Sequence, residues 1–290
     1  EIESADEVSL DFVRTVNNPK HFLYPSYEVL LEWRRSNGSI DVSSPGISTQ
    51  PIAFLGIKPC DANAIHILDL QLLSDPPDPF YRARREKSLV IVYDCTKRDE
   101  YCFCESAGHR EPRSYDLWIV PSVRGYYISV GSELGSKLLE GLQLEPVEKV
   151  SIPSLGSRRL GLESVYEKLK EKYDDPRWNE ISRRCLLCGG CTATCPTCVC
   201  FDIIDDVDGY ASAGRRLRVY TSCALRSFTR VAGGRIVRKI PSDRFKFRYF
   251  HKFVFGVERF GVPLCVGCGR CASQCPAGIN MVEVLRYVVP

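Results

Sequence analysis

The chain contains no apolar run long enough to span a bilayer, which takes roughly 18 residues. Its start lacks the charged, apolar and small segments of a secretory signal, so it reads as soluble. The first residue is Glu rather than Met, consistent with a trimmed start. No dinucleotide fingerprint is present, because the Gly-Gly and Gly-x-Gly stretches do not follow strands. His21, His66, His109 and His251 lack metal-ligand spacing and are expected on surfaces or in polar contacts. No acid, base or nucleophile constellation points to a catalytic centre.

Cysteine, in contrast, is abundant: 15 in 290 residues. A disulfide scaffold suits a short secreted chain, whereas this one can build one large or two modest domains. Its 44% apolar content argues against disorder. Clustered cysteine spacings in a chain of this size indicate metal, and therefore a reducing compartment such as the cytoplasm.

Two halves are expected. Residues 1–150 read as α/β. Ile52 to Ile57 is an apolar run suited to a buried strand, and Asp61 is positioned to cap a helix bearing Ile65, Leu68 and Leu72 on one face. A Pro-rich loop from Ser74 to Phe80 stops that helix, and Ser88 to Tyr93 forms a second strand. Strand, helix, strand at this length is a βαβ unit with parallel strands. Leu117–Val120 and Tyr126–Val130 flank Arg124-Gly125 as a hairpin. Residues 151–180 form a linker, with a charged amphipathic helix over 157–173. Residues 181–290 are expected to be a ferredoxin-like, mainly helical domain that folds around metal rather than around a large core.

That domain carries a repeat. Cys185-Leu-Leu-Cys188-Gly-Gly-Cys191-Thr-Ala-Thr-Cys195-Pro196 recurs as Cys265-Val-Gly-Cys268-Gly-Arg-Cys271-Ala-Ser-Gln-Cys275-Pro276. Both follow the spacing of two-cluster bacterial ferredoxins, whose fourth cysteine ligates the other cluster. Three closely spaced thiolates wrap one face of a [4Fe–4S] cubane, and Gly189 and Gly269 let the backbone approach it. One cluster is thus assigned to Cys185, Cys188, Cys191 and Cys275, the other to Cys265, Cys268, Cys271 and Cys195. Structural zinc favours two separated Cys-x₂-Cys pairs instead. The formal charge of +3 is therefore misleading, since each cubane with four thiolates adds about −2.

Four further thiols lie in the first half. Cys60 and Cys95 follow the two proposed parallel strands, and Cys102 and Cys104 sit on a loop that can fold over the same sheet crest. Their spacing matches no ferredoxin run. They are either a third cluster site or buried small hydrophobes, with Asp61 as a helix cap or an alternative ligand.

A wider set of motifs carries a resemblance. Lys58-Pro-Cys-Asp61, Asp94-Cys95, Tyr101-Cys-Phe-Cys104, Cys195-Pro-Thr-Cys198-Val-Cys200, Ser222-Cys223, Tyr249-Phe-His-Lys252 and the run from Gly261 to Cys271 occur in this order. Over residues 50–290 the chain resembles the iron–sulfur β subunit of soluble archaeal hydrogenase/sulfhydrogenase, which is similar to an iron–sulfur component of anaerobic sulfite reductase. The resemblance implies a third cluster at Cys60, Cys95, Cys102 and Cys104. It also implies an electron relay that links a flavin- and NAD(P)-binding subunit to a catalytic hydrogenase or sulfite reductase subunit.

Cys198, Cys200 and Cys223 remain without an assigned metal. Between Gly214 and Lys252 stand 12 Lys/Arg and one acidic residue, Asp243, with aromatics interleaved. That composition suits nucleic acid, but charge runs alone are weak evidence, and anionic clusters are a nearer counter-ion. An acidic docking partner is equally compatible with it.

Overall fold

The structure is a computed structural model describing residues 3–47, 49–148, 150–156 and 162–290. Eight strands occur among the described residues, in chain order β1 (Tyr27–Ser36), β2 (Ser39–Ser43), β3 (Ile52–Ile57), β4 (Ser88–Tyr93), β5 (Leu117–Ser122), β6 (Gly125–Val130), β7 (Phe201–Val207) and β8 (Ala213–Tyr220). They form two four-stranded sheets, ordered β3-β4-β5-β6 and β2-β1-β8-β7.

The first sheet contains the expected βαβ unit. β3 and β4 pair in parallel across the crossover helix Pro59–Leu72, and β4 and β5 are also parallel. The expected hairpin is β5–β6. Phe54, Ile65, Leu68, Val90, Val92 and Trp118 fill the core beneath this sheet. Three local details differ from the sequence-based expectation. Lys58, not Asp61, occupies the helix N-cap position, with Pro59 starting the helix, because Asp61 points inward to a buried partner. The Pro-rich loop closes in a second helix, Pro79–Arg85, whose first turn is capped by Asp78 accepting from the Phe80 and Tyr81 amides at 3.0 and 2.9 Å. The helix expected over 157–173 spans Leu162–Lys170, and residues 157–161 lie outside the described residues.

The second sheet joins distant parts of the chain. β1 pairs antiparallel with β8, so strands from either side of the expected division share a ladder. Asn37 and Gly38 connect β1 to β2 with φ of 49° and 79°, the pair of left-handed residues a two-residue hairpin turn requires. Buried Arg218 fastens this sheet to the body, pairing with Glu28 on β1 and with Asp78.

The carboxy-terminal region has a larger core than expected. Trp178, Phe245, Tyr249, Phe250, Phe253, Leu285 and Val288 pack together, joined by Phe103 from the first half. The aromatics are interleaved with Arg and Lys along Pro241–Phe250, so the sequence hides an apolar face whose charged neighbours are themselves buried. The region also contains β7 and β8 alongside its helices. No described helix is long and apolar enough to cross a membrane.

Candidate iron–sulfur sites

The first motif turns through Gly189 into a four-residue helix, Gly190–Ala193, and the second through Gly269 into Arg270–Ser273. These turns bring the two motifs together in a crossed arrangement. Cys185, Cys188 and Cys191 line a cavity with Cys275 of the second motif. Leu187, Phe245, Tyr249, Ile279 and Met281 contribute to its wall, and Cys223 and Cys271 also border it. Cys195, by contrast, is hydrogen-bonded to Cys198 and lies near enough to Cys265, Cys268 and Cys271 for its charge, after burial, to raise all three thiols. Burial pushes Cys265 up to about 12 and Cys271 up to about 11, so both bare thiols hold their protons at neutral pH.

At the third expected site a cavity is lined by Cys60, Cys95, Cys102 and Cys104, together with Arg14, Arg110 and Cys268. Cys60 enters from the first turn of the crossover helix and Cys95 from the segment after β4, the adjacent strand ends expected from the βαβ unit. The Tyr101–Cys104 loop reaches the crest because the second motif supports it. The Phe103 amide donates to the Gly267 carbonyl at 2.9 Å. A Cβ on Gly267 would lie 2.6 Å from the Cys104 nitrogen, and one on Gly269 would lie 2.6 Å from the Tyr101 carbonyl oxygen. Glycine at both positions, with φ of 66° and 76°, therefore permits loop-on-loop contact. Gly269 thus admits this loop as well as turning the motif. Arg14 donates to Asp99 at 2.9 Å and to Cys102 Sγ at 3.3 Å. Burial raises Cys104 to about 12 and Cys95 to about 11.

Asp61 lines neither of these two cavities. It forms a two-point ion pair with Arg270 of the second motif at 2.6 and 3.0 Å, both side chains being buried. His109 also departs from expectation. It is buried with neither ring nitrogen hydrogen-bonded, and burial pushes it down to about 4.

The cations are the feature sequence reasoning did not resolve. Arg248 is buried and donates to Cys198 Sγ at 3.4 Å; its neighbours are the thiols of Cys191, Cys195, Cys198 and Cys271. Among the described residues, buried Lys252 bonds neutral oxygens, Thr197 Oγ1 at 2.8 Å and the Leu264 carbonyl at 2.7 Å. Neither meets a carboxylate among the described residues. An isolated buried cation costs several kcal/mol, so the compensating charge must come from the cysteine side. Four thiolates around a cubane supply about −2, which fits this environment. The available signal was spacing: Arg244, Arg248 and Lys252 recur every fourth residue beside Phe245, Tyr249 and Phe253. Cys200 and Cys223 are neighbours beside the first cavity, and Cys198 is buried next to Cys195. Among the described residues, no three His, Cys, Asp or Glu side chains are grouped to hold a single metal ion.

Residues 184–279 match a family model described as a 4Fe-4S dicluster domain. That span contains both motifs and excludes Cys60, Cys95, Cys102 and Cys104. Across 99% of its length the chain is 33% identical to sulfhydrogenase 2 subunit beta of Pyrococcus furiosus, covering 87% of that protein. Over 55% of the chain it is 22% identical to F420-dependent formate dehydrogenase subunit beta of Methanocaldococcus jannaschii, covering 38% of that protein. No solved structure matches the chain.

Proposed function

The chain belongs to the family of the sulfhydrogenase β subunit, and from that premise we propose that it relays electrons through three [4Fe–4S] sites within a multi-subunit redox complex. Its partners in this reading are a flavin- and NAD(P)-binding subunit together with a catalytic hydrogenase subunit, working in the cytoplasm. The domain division goes with it: an α/β unit over 1–150, a linker over 151–180 and a ferredoxin-like dicluster unit over 181–290.

The observation that carries the reading is the adjacency of the cysteine sets. Cys268 of the second set lines the cavity of Cys60, Cys95, Cys102 and Cys104, and Cys271 lines the first cavity, so the second set stands between the other two. In this assignment Cys185, Cys188, Cys191 and Cys275 hold one cluster, Cys265, Cys268, Cys271 and Cys195 the next, and Cys60, Cys95, Cys102 and Cys104 the third. Bound clusters supply reversible one-electron chemistry. The chain's own residues do the rest. Apolar walls at Phe245, Tyr249 and Met281 limit water in the first cavity, while Arg248 and Lys252 offset negative charge between the first and second. At the third, Arg14 reaches Cys102 while already paired with the Asp99 carboxylate.

Iron and acid-labile sulfide analysis tests the proposal. Three cubanes give roughly 12 of each per chain, two give roughly 8, and both give a brown absorbance that dithionite bleaches. Abundant zinc without sulfide would refute it.

A further inference from the structure

We infer that the exposed cations of the loop 225–240 dock an acidic electron-transfer protein over the edge where Cys188 reaches the surface, an inference that rests on the cluster reading above. Of the 15 cysteines, Cys188 alone is exposed. The cavity it lines with Cys185, Cys191 and Cys275 is therefore the one whose ligand set includes a fully exposed cysteine.

The basic stretch divides into two sets of different kind. Arg244, Lys246, Arg248 and Lys252 are buried, whereas Arg226, Arg230, Arg235 and Lys239 are exposed. Arg244 ties the exposed set to the site. Its guanidinium donates to the Ala224 carbonyl at 3.0 Å and to the Arg238 and Lys239 carbonyls at 3.0 and 2.7 Å, clasping both ends of the loop. Arg244 and Ala224 also line the Cys188 cavity, and Leu225 lines the adjoining groove with Cys188 and Gly189. The loop thus grows from the rim of the exposed site.

Its charge is uncompensated. No Asp or Glu occurs between Gly209 and Ser242, and among the described residues Arg226, Arg230 and Arg235 have no ion-pair partner. Leu186, Val237 and Ile240 stand exposed at 67%, 56% and 57%, giving apolar contacts among the cations. Apolar contact beside a single-sign field is the composition of a steered protein interface. Single-stranded nucleic acid would need aromatic platforms instead. Here Phe245, Tyr249 and Phe250 are buried, and Phe247 lies under the Arg238 guanidinium at 3.5 Å.

The test uses the anaerobically purified, cluster-loaded full chain and, as probe, a purified acidic ferredoxin. Binding is measured across a salt titration, and stopped-flow follows transfer of one electron from the reduced probe, with no bond made or broken. The triple reversal Arg226→Glu/Arg230→Glu/Arg235→Glu is expected to weaken binding and slow reduction about tenfold or more at low salt, with the difference fading at high salt. A control reversal of the exposed Lys87, Arg124 and Lys137 should stay within about twofold of the parent. Iron content and dithionite bleaching should be unchanged in both. If the triple reversal costs iron, Arg230→Gln/Arg235→Gln carries the same test, with a loss of about threefold expected. Parent-like binding by the loop variant, or an equal loss in the control, would overturn the inference. So would loop-dependent, salt-sensitive binding of DNA in place of the ferredoxin. A parent chain without cluster absorbance would instead overturn the function proposed above.

Discussion

Arg248 and Lys252 sit between two cysteine sets with no carboxylate to balance them among the described residues, so their contribution is electrostatic support of an anionic site. Arg248→Gln should leave iron content intact and lower the potentials of the neighbouring clusters. Losing one nearby charge is worth about 1–2 kcal/mol, or on the order of 50–100 mV for one electron. Potentiometric titration followed by electron paramagnetic resonance checks the sign; an unchanged or raised potential would contradict it. The thiols themselves give a pH dependence. Cys104 and Cys265 are raised from 9.0 to about 12 by burial, and a thiol must lose its proton before it binds iron. Reconstitution with iron and sulfide should accelerate from pH 7 to 9, measured by the growth of the brown absorbance. In the metal-free chain these raised values act in the other direction. The folded form keeps protons that the unfolded chain sheds above about 9, so stability falls as pH rises toward 12.

At the scale of elements, the crossover helix and the second motif are held by the buried Asp61–Arg270 pair. Asp61→Asn leaves Arg270 without its counter-charge, and breaking a buried pair costs about 3–5 kcal/mol. A clear fall in thermal midpoint is expected; a midpoint within a degree or so of the parent would show that the pair adds nothing. Cys60→Ala or Cys104→Ala should remove one cluster and leave two, because those residues enter from the βαβ unit and its loop. Iron analysis decides, and unchanged iron in both variants would return these thiols to ordinary burial. The βαβ unit was legible in the sequence because β3 and β4 are short apolar runs separated by a helix of the right length. β7 and β8 were not. Their cross-strand register sets Asp205 against Arg216 and Asp206 against Arg215, so charge pairing replaces the apolar alternation that marks a strand. The β1–β2 hairpin was not read either: β2 is exposed throughout and carries no buried stripe to announce it, although its Asn37-Gly38 turn is a hairpin signal. Among the proposed site residues, the eight motif cysteines are read from spacing alone. The convergence of Cys60, Cys95, Cys102 and Cys104 depends on tertiary contacts such as Gly267 against Cys104, which no local pattern encodes.

As a whole, the molecule in the proposed role is a relay that exchanges electrons at surfaces covered by other subunits. The isolated chain should accept electrons from dithionite and show no turnover with hydrogen, sulfite or NAD(P)H. Rapid cluster reduction by NAD(P)H in the purified chain would reveal a nucleotide site and end the description as a passive relay. The central claim is narrower: three adjacent cubanes, two of them with exchanged fourth ligands. Anomalous diffraction at the iron edge, from crystals of the anaerobically purified chain, tests it most directly. The account expects three iron centres, with Cys275 on the centre held by Cys185, Cys188 and Cys191, and Cys195 on that held by Cys265, Cys268 and Cys271. Cys195 bound beside Cys185, or no iron within the cavity of Cys60, Cys95, Cys102 and Cys104, would contradict it.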